Sequence, residues 1–258
     1  MARGGRETGA PVDGLRKASS RGVPVVADVP ESGAERAQQQ SARRAYNRMS
    51  RIYGWLSDSS EREFIDKAID GLLKPQPGEV ICEPGFGTGQ VLAALAELVG
   101  PNGKVYGIDI SDGMLERARD RLSSLDLLER VDLRRGSATD LPYADAQFDA
   151  VFASFTLELF DDASIPVVLG QIRRVLKPGG RLCVACMSSN GPDKAFDNAM
   201  EKLYTWSHSR FPTFVDCRPI DAPAWLGRGG FQVRDVEQLS MWGLAVDLVL
   251  AEPGGSAA

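Results

Sequence analysis

The chain has 258 residues, 43% of them apolar, enough to bury one substantial core in one or two domains. Its net charge of −5 and pI near 5.1 argue against a nucleic-acid backbone as the main partner. The charge is uneven: residues 1–50 carry nine Arg/Lys against five Asp/Glu, or +4, which leaves −9 for the remainder.

Residues 1–34 are rich in Gly, Arg, Ser and Pro without an apolar period, which predicts a disordered, solvated tail. Residues 35–258 are expected to form a single domain. It opens with leading helices over 35–74, one starting near Ala34 and running through Tyr46 and Tyr53, the other from Glu61 to Leu73. No apolar run approaches the ~18–20 residues of a membrane span and no apolar signal core opens the chain, so a cytoplasmic protein is expected.

Strand and helix then alternate as in a parallel sheet. Strands are predicted near 79–83, 104–109, 131–135, 148–154 and 180–187, and helices near 89–99, 112–124 and 162–176. Pro101-Asn102-Gly103, Pro142 and Lys177-Pro178-Gly179-Gly180 mark connecting loops. Residues 193–210 read as helical and 212–230 as an irregular loop. Two last strands, near 231–239 and 244–251, close a doubly wound α/β chain.

The chemistry concentrates in Glu83-Pro84-Gly85-Phe86-Gly87-Thr88-Gly89, a glycine-rich turn between an apolar strand and an apolar-faced helix. Glycines let the backbone turn tightly and approach a ligand without Cβ atoms in the way. Asp109 ends the next strand twenty residues beyond the last glycine, where a carboxylate can accept from both hydroxyls of a ribose. A dinucleotide turn reads G-x-G-x-x-G, but here the sixth position is Gln90, and no lysine follows as in a phosphate loop. The acid Glu83 suits an ammonium better than a pyrophosphate. An adenosine cofactor with an ammonium and no phosphate is S-adenosyl-L-methionine (SAM).

Other residues bear on the site more weakly. Met114 follows Asp109 and Ile110 and is first a core methionine, with packing on adenine as an addition. Ser154-Phe155-Thr156 ends the fourth strand, at the carboxyl edge where such sheets place ligands, and is read as lining the methionine end. His208, the one histidine, reads as an exposed helix-end residue or as a general base, and Glu158 as a loop acid or a second-choice base. Tyr204, Trp206, Phe211, Phe214 and Trp225 crowd the segment from 190 to 228; they suit ordinary core or a flat apolar acceptor. Asp216 and Arg218 read as a structural ion pair before an acceptor contact. Cys183 and Cys186 lie three apart in a strand pattern and so face opposite ways, which excludes a redox pair or a metal clamp. No metal is expected.

These motifs resemble those of the class I SAM-dependent methyltransferases, most closely the ubiquinone/menaquinone-biosynthesis C-methyltransferase type. The likeness runs from about residue 40 to 190. Tyr46 to Tyr53 resembles that type's leading segment, Glu83 to Gly89 its first motif, and Asp109-Ile110 with Met114 its acid and adenine-packing turn. Gly136-Ser137-Ala138 through Tyr143 resembles the adenine loop, with Ser137 where the family usually has aspartate. Gly54 likewise stands where aspartate usually follows the second tyrosine. Arg174 to Leu182 is the most family-like run.

The resemblance implies a seven-stranded, mostly parallel Rossmann-like sheet whose last strand is antiparallel. It implies SAM bound by Tyr46, Tyr53, Glu83, Gly85, Phe86, Gly87, Gly89, Asp109, Ile110, Met114, Ser137, Ala138, Ser154 and Phe155. It also implies an acceptor covered by residues 190–228, where Tyr204, Trp206, Phe211 and Arg218 are candidate contacts. The expected partner is a small, aromatic or prenylated acceptor, with C-methylation favoured and homo-oligomerisation left open. The alternatives are an N- or O-methyltransferase of a small metabolite or lipid head group, and a SAM-binding regulator or cyclase that does not methylate.

Overall fold

The computed structural model describes residues 62–190, 218–241 and 244–255. The expected tail and the helix around Tyr46 and Tyr53 lie outside these residues, as do most of the expected acceptor-covering segment and its predicted helix over 193–210.

Seven strands form one sheet in the order β3-β2-β1-β4-β5-β7-β6. They are β1 (Val80–Pro84), β2 (Lys104–Asp109), β3 (Val131–Arg135), β4 (Phe148–Ser154), β5 (Leu176–Met187), β6 (Phe231–Met241) and β7 (Leu244–Pro253). β7 runs antiparallel to both of its neighbours, and the pairs among β1 to β5 are parallel. The architecture is the expected Rossmann-like one, antiparallel last strand included.

The inner strands are covered on both faces, which is why β1 and β4 read as continuous apolar runs rather than as alternations. One face carries α1 (Arg62–Lys67, continuing as a π-helical turn Ala68–Leu73), α2 (Gln90–Val99) and α3 (Asp112–Ser124). The other carries α4 (Ile165–Val175) and α5 (Ala222–Arg228). Ile81, Phe152, Cys183 and Ala185 point into the first layer, and Cys82, Val151, Val184 and Cys186 into the second. Cys183 and Cys186 thus face opposite sides, each as a free buried thiol.

Two local expectations change. Residues 222–228 form helix α5 rather than irregular loop: Asp221 caps it by accepting from the Ala224 N–H at 3.0 Å, and Pro223 sits in the first turn, where a missing N–H costs nothing. Lys177-Pro178-Gly179-Gly180, expected as a loop before the strand, lies within the span of β5. It is accommodated by a register shift between the pairs Phe148↔Leu176 and Ala150↔Arg181.

The chain leaves β1 for β2 and β3, then returns to place β4 on the other side of β1. The seam between β1 and β4 is therefore the topological switch point, where a crevice opens beyond the carboxyl ends of the strands. At the opposite edge, Arg181 fastens three elements. Its guanidinium donates bidentately to Glu79 at 2.8 Å and to the carbonyls of Leu73 and Lys74 at 2.6 and 3.2 Å. Burial works to raise the Glu79 carboxyl, but the hydrogen bonds from Arg181 and the Gln76 N–H, with the Arg181 charge, hold it below its ordinary range.

Arg181→Met should therefore cost about 2–4 kcal/mol at neutral pH, because it removes the donor to the Leu73 carbonyl and leaves the half-buried Glu79 carboxylate with the Gln76 N–H alone. A carboxyl lowered in the folded state adds stability above its unfolded pKa and loses it as pH falls. Urea titrations of both proteins should therefore converge as pH drops below about 4. Equal midpoints at neutral pH would contradict the role given to Arg181.

Candidate functional site

The glycine turn is held at its two ends and open in its middle. Gly85, Gly87 and Gly89 all have positive φ, at 74°, 52° and 77°, a region that side chains strain to occupy. The Gly85 N–H donates to the Ile108 carbonyl at 2.7 Å, tying the turn to β2. A Cβ on Gly85 would lie 2.6 Å from Thr156, and one on Gly89 2.7 Å from the Ala118 Cβ on α3. A Cβ on Gly87 would meet nothing within 4 Å. Arg121 of α3 donates from Nε to the Thr88 carbonyl at 3.1 Å, bracing the turn from the same side as Ala118.

Two carboxyls sit beneath this turn. Asp109, 6% exposed, accepts at Oδ1 from the Ser111 N–H (2.8 Å) and at Oδ2 from the Gly87 N–H (3.0 Å). Burial raises its pKa, against the lowering effect of the N–H groups of Ser111, Gly87 and Ile110. Glu83 is 1% exposed, and its Oε2 has no hydrogen-bond partner. Burial first, and the Asp109 carboxylate second, push the Glu83 carboxyl well above its ordinary range. Among the described residues nothing donates to it.

A buried carboxyl with no donor beside an open glycine fits a ligand that brings its own cation. The ammonium of SAM is such a group, and each oxygen of Asp109 keeps a lone pair for a ribose hydroxyl. Ile110, 64% exposed immediately after Asp109, leaves an apolar surface where an adenine could lie. Met114 is buried in α3, and its N–H is capped by the Ser111 hydroxyl at 3.3 Å. The Phe86 ring is packed in the core, close under Gly107, so Phe86 can offer a ligand only its backbone. The Ser137 hydroxyl is engaged within its own turn, 2.7 Å from Thr139 Oγ1, with the Thr139 N–H donating to it at 3.2 Å, while Ala138 is buried. Ser154 and Phe155 stand across the crevice from the glycine turn, and Phe155 has a left-handed φ of 46°.

The acceptor candidates divide. Glu158 is buried, and its Oε1 accepts from the Met187 N–H at 3.3 Å. Arg218 donates to the Phe160 carbonyl at 3.1 Å and ion-pairs with Asp162 rather than reaching open space. Trp225 packs on the α4–α5 side with the Arg228 guanidinium 4.0 Å over its ring. Tyr46, Tyr53, Tyr204, Trp206, His208 and Phe211 lie outside the described residues, as do Phe214 and Asp216. No metal-holding cluster occurs among the described residues.

The sequence reading passed over the bracing residues Ala118 and Arg121. Their signal was the spacing of small and basic residues on α3, which only the fold aligns with the glycine turn.

Residues 81–180 match the family model described as a methyltransferase domain. That stretch is similar to a methyltransferase domain, and SAM is the cofactor that the site's residues fit. The chain is also similar to demethylmenaquinone methyltransferases. It is 40% identical over 121 residues to a demethylmenaquinone methyltransferase of Symbiobacterium thermophilum, covering 47% of each chain. It is 34% identical over 165 residues to one of Staphylococcus aureus, covering 64% of each. The matched stretch thus spans less than two thirds of either relative. In fold it is similar to a SAM-dependent methyltransferase of Aquifex aeolicus, with a TM-score of 0.59, 21% identity, and coverage of 78% of this chain and 97% of that one.

A carboxyl raised in the folded state costs stability once pH exceeds its unfolded pKa of about 4.3. Ligand-free stability should therefore fall as pH rises toward the folded pKa of Glu83. Glu83→Gln should raise the ligand-free melting temperature at neutral pH by about 2 °C or more, the effect of roughly 1 kcal/mol in a domain this size. The same change should weaken SAM binding about tenfold or more, by removing a charge-assisted contact. Calorimetry and thermal melts showing both effects with one sign would contradict this account of Glu83.

Proposed function

We propose that the chain transfers the methyl group of SAM to a small aromatic or prenylated acceptor, with carbon as the favoured methylated atom. The observation that carries this reading is the buried Glu83 carboxyl, whose Oε2 has no donor among the described residues, beside open Gly87 and Asp109, in a chain similar to two demethylmenaquinone methyltransferases. What those enzymes' names say of their acceptor supports a quinol-like ring here.

When bound, SAM supplies an activated sulfonium methyl. The chain's part is orientation. Glu83 would hold the ammonium and Asp109 the ribose, so that the methyl faces the crevice at the β1–β4 seam. Holding acceptor and donor near contact distance and excluding water accounts for much of such a rate enhancement. A phenol-like carbon acceptor gains from a base that removes the hydroxyl proton. His208 is the first candidate. Glu158 is the second, though its Oε1 already accepts from Met187. Tyr204, Trp206, Phe211 and Arg218 are proposed for the acceptor side, with Arg218 acting from its ion pair with Asp162. No helix among the described residues is long and apolar enough to cross a membrane.

The test is incubation with isotopically labelled SAM and a panel of reduced quinone precursors, polyphenols and lipid amines. A gain of one methylene on a ring carbon is expected. Transfer to nitrogen or oxygen would replace the C-methylation reading, and rearranged product without added mass would favour a cyclase. On the acceptor that is turned over, His208→Ala should lower kcat with SAM affinity intact, while Trp206→Ala should mainly raise the acceptor KM. Wild-type kinetics in both would place the acceptor site elsewhere.

A further inference from the structure

The ladder between β1 and β4 closes after two pairs, Ile81↔Ala150 and Cys82↔Val151, and the strands then part into the crevice. Beyond that point Thr156 spans the gap. It is 3% exposed, and its Oγ1 lies 3.1 Å from the Pro84 carbonyl and 2.8 Å from that of Ser154. Although Thr156 is the N-cap of the short 3-10 helix Leu157–Leu159, its side chain makes no capping hydrogen bond. The hydroxyl's one proton is instead shared between the Pro84 carbonyl of β1 and the nearer Ser154 carbonyl at the end of β4, so the side chain links the two strand ends. Its Cγ2 and Oγ1 also fill the space where Gly85 lacks a Cβ. The residue before it, Phe155, has a left-handed φ and is fastened by its N–H to the Ala185 carbonyl at 2.7 Å. Backbone held in that region by surrounding structure recurs at ligand sites.

Pro84 and Gly85 are therefore gripped from both sides, by Ile108 of β2 through a backbone bond and by Thr156, two residues beyond β4, through a side chain. Only the second grip crosses the crevice. We propose that Thr156 is a positioning residue for the amino-acid end of the cofactor: it fixes the first glycine of the turn, and with it the Glu83–Gly85 backbone, at the width that end requires. Asp109 and Ile110 lie on the far side of the turn and do not depend on this grip. The proposal rests on the cofactor reading above.

Two ligands separate the ends. S-Adenosylhomocysteine carries the amino-acid end, whereas 5′-methylthioadenosine shares the adenosine and thioether but lacks it. Thr156→Val keeps the shape against Gly85 and removes the hydroxyl. Its affinity for S-adenosylhomocysteine should fall about five- to tenfold, the effect of one neutral hydrogen bond, with less than about twofold change for 5′-methylthioadenosine. Thr156→Ser, which keeps the hydroxyl, should restore the first value. If the valine variant does not fold, Thr156→Ala removes the hydroxyl without setting a methyl against the Pro84 carbonyl and is judged on the same ratio. Unchanged affinity for both ligands, or an equal loss for both, overturns the proposal. Wild-type protein that binds neither ligand overturns the cofactor reading itself.

Discussion

Two carboxyls buried at the ends of neighbouring strands set the terms for the rest of this structure. Parallel pairing of β1 with β2 brings Glu83 and Asp109 under one turn, where the Asp109 carboxylate adds to the cost that burial sets on ionising Glu83. Asp109 is compensated by N–H groups of Gly87, Ser111 and Ile110. Glu83 is not. Two partly buried carboxylates elsewhere are answered: Lys177 lies 2.7 Å from Asp149, which also accepts from the Val80 N–H, and Arg181 answers Glu79. The uncompensated group is at the switch point of the sheet, where a ligand can supply what the protein withholds.

The glycine turn is shaped around that need. Three positive φ values in five residues would be strained with any other residue type. The outer two glycines also admit Thr156 and Ala118 at distances no Cβ tolerates, while the middle one faces open space. A turn clamped at both ends and open at its centre lets a ligand approach the backbone without having to reorganise. That preorganisation is what binding and methyl transfer both draw on.

Much of this was legible in the sequence because the relevant signals are local. The run Val80-Ile81-Cys82, the alternating glycines and the twenty-residue step to Asp109 mark strand, turn and strand within one short unit. The menaquinone-type resemblance supplied the antiparallel last strand, which no local pattern states. What was missed depends on contacts between distant segments. Helix α5 was hidden because Asp221-Ala222-Pro223 reads as a breaker, although it is also a cap with proline in the first turn. The contacts of Arg218 with Asp162 and the Phe160 carbonyl, more than fifty residues away, likewise appear only in the fold. Thr156 lies 72 residues from Pro84, so its grip on β1 appears only once the sheet is assembled. The same holds for the absence, among the described residues, of a donor to Glu83 Oε2, since no sequence pattern reports what is missing around a buried atom.

The central claim is that Glu83 awaits a cation, and binding-linked proton release tests it most directly. A carboxyl held protonated by burial must give up its proton when an ammonium docks against it. SAM should be titrated calorimetrically in buffers of differing ionisation enthalpy between about pH 5 and 8. The account predicts net proton release over part of that range, lost in Glu83→Gln and lost when 5′-methylthioadenosine replaces SAM. Binding with no proton exchange at any pH in the range, or exchange unchanged by the glutamine, would contradict it.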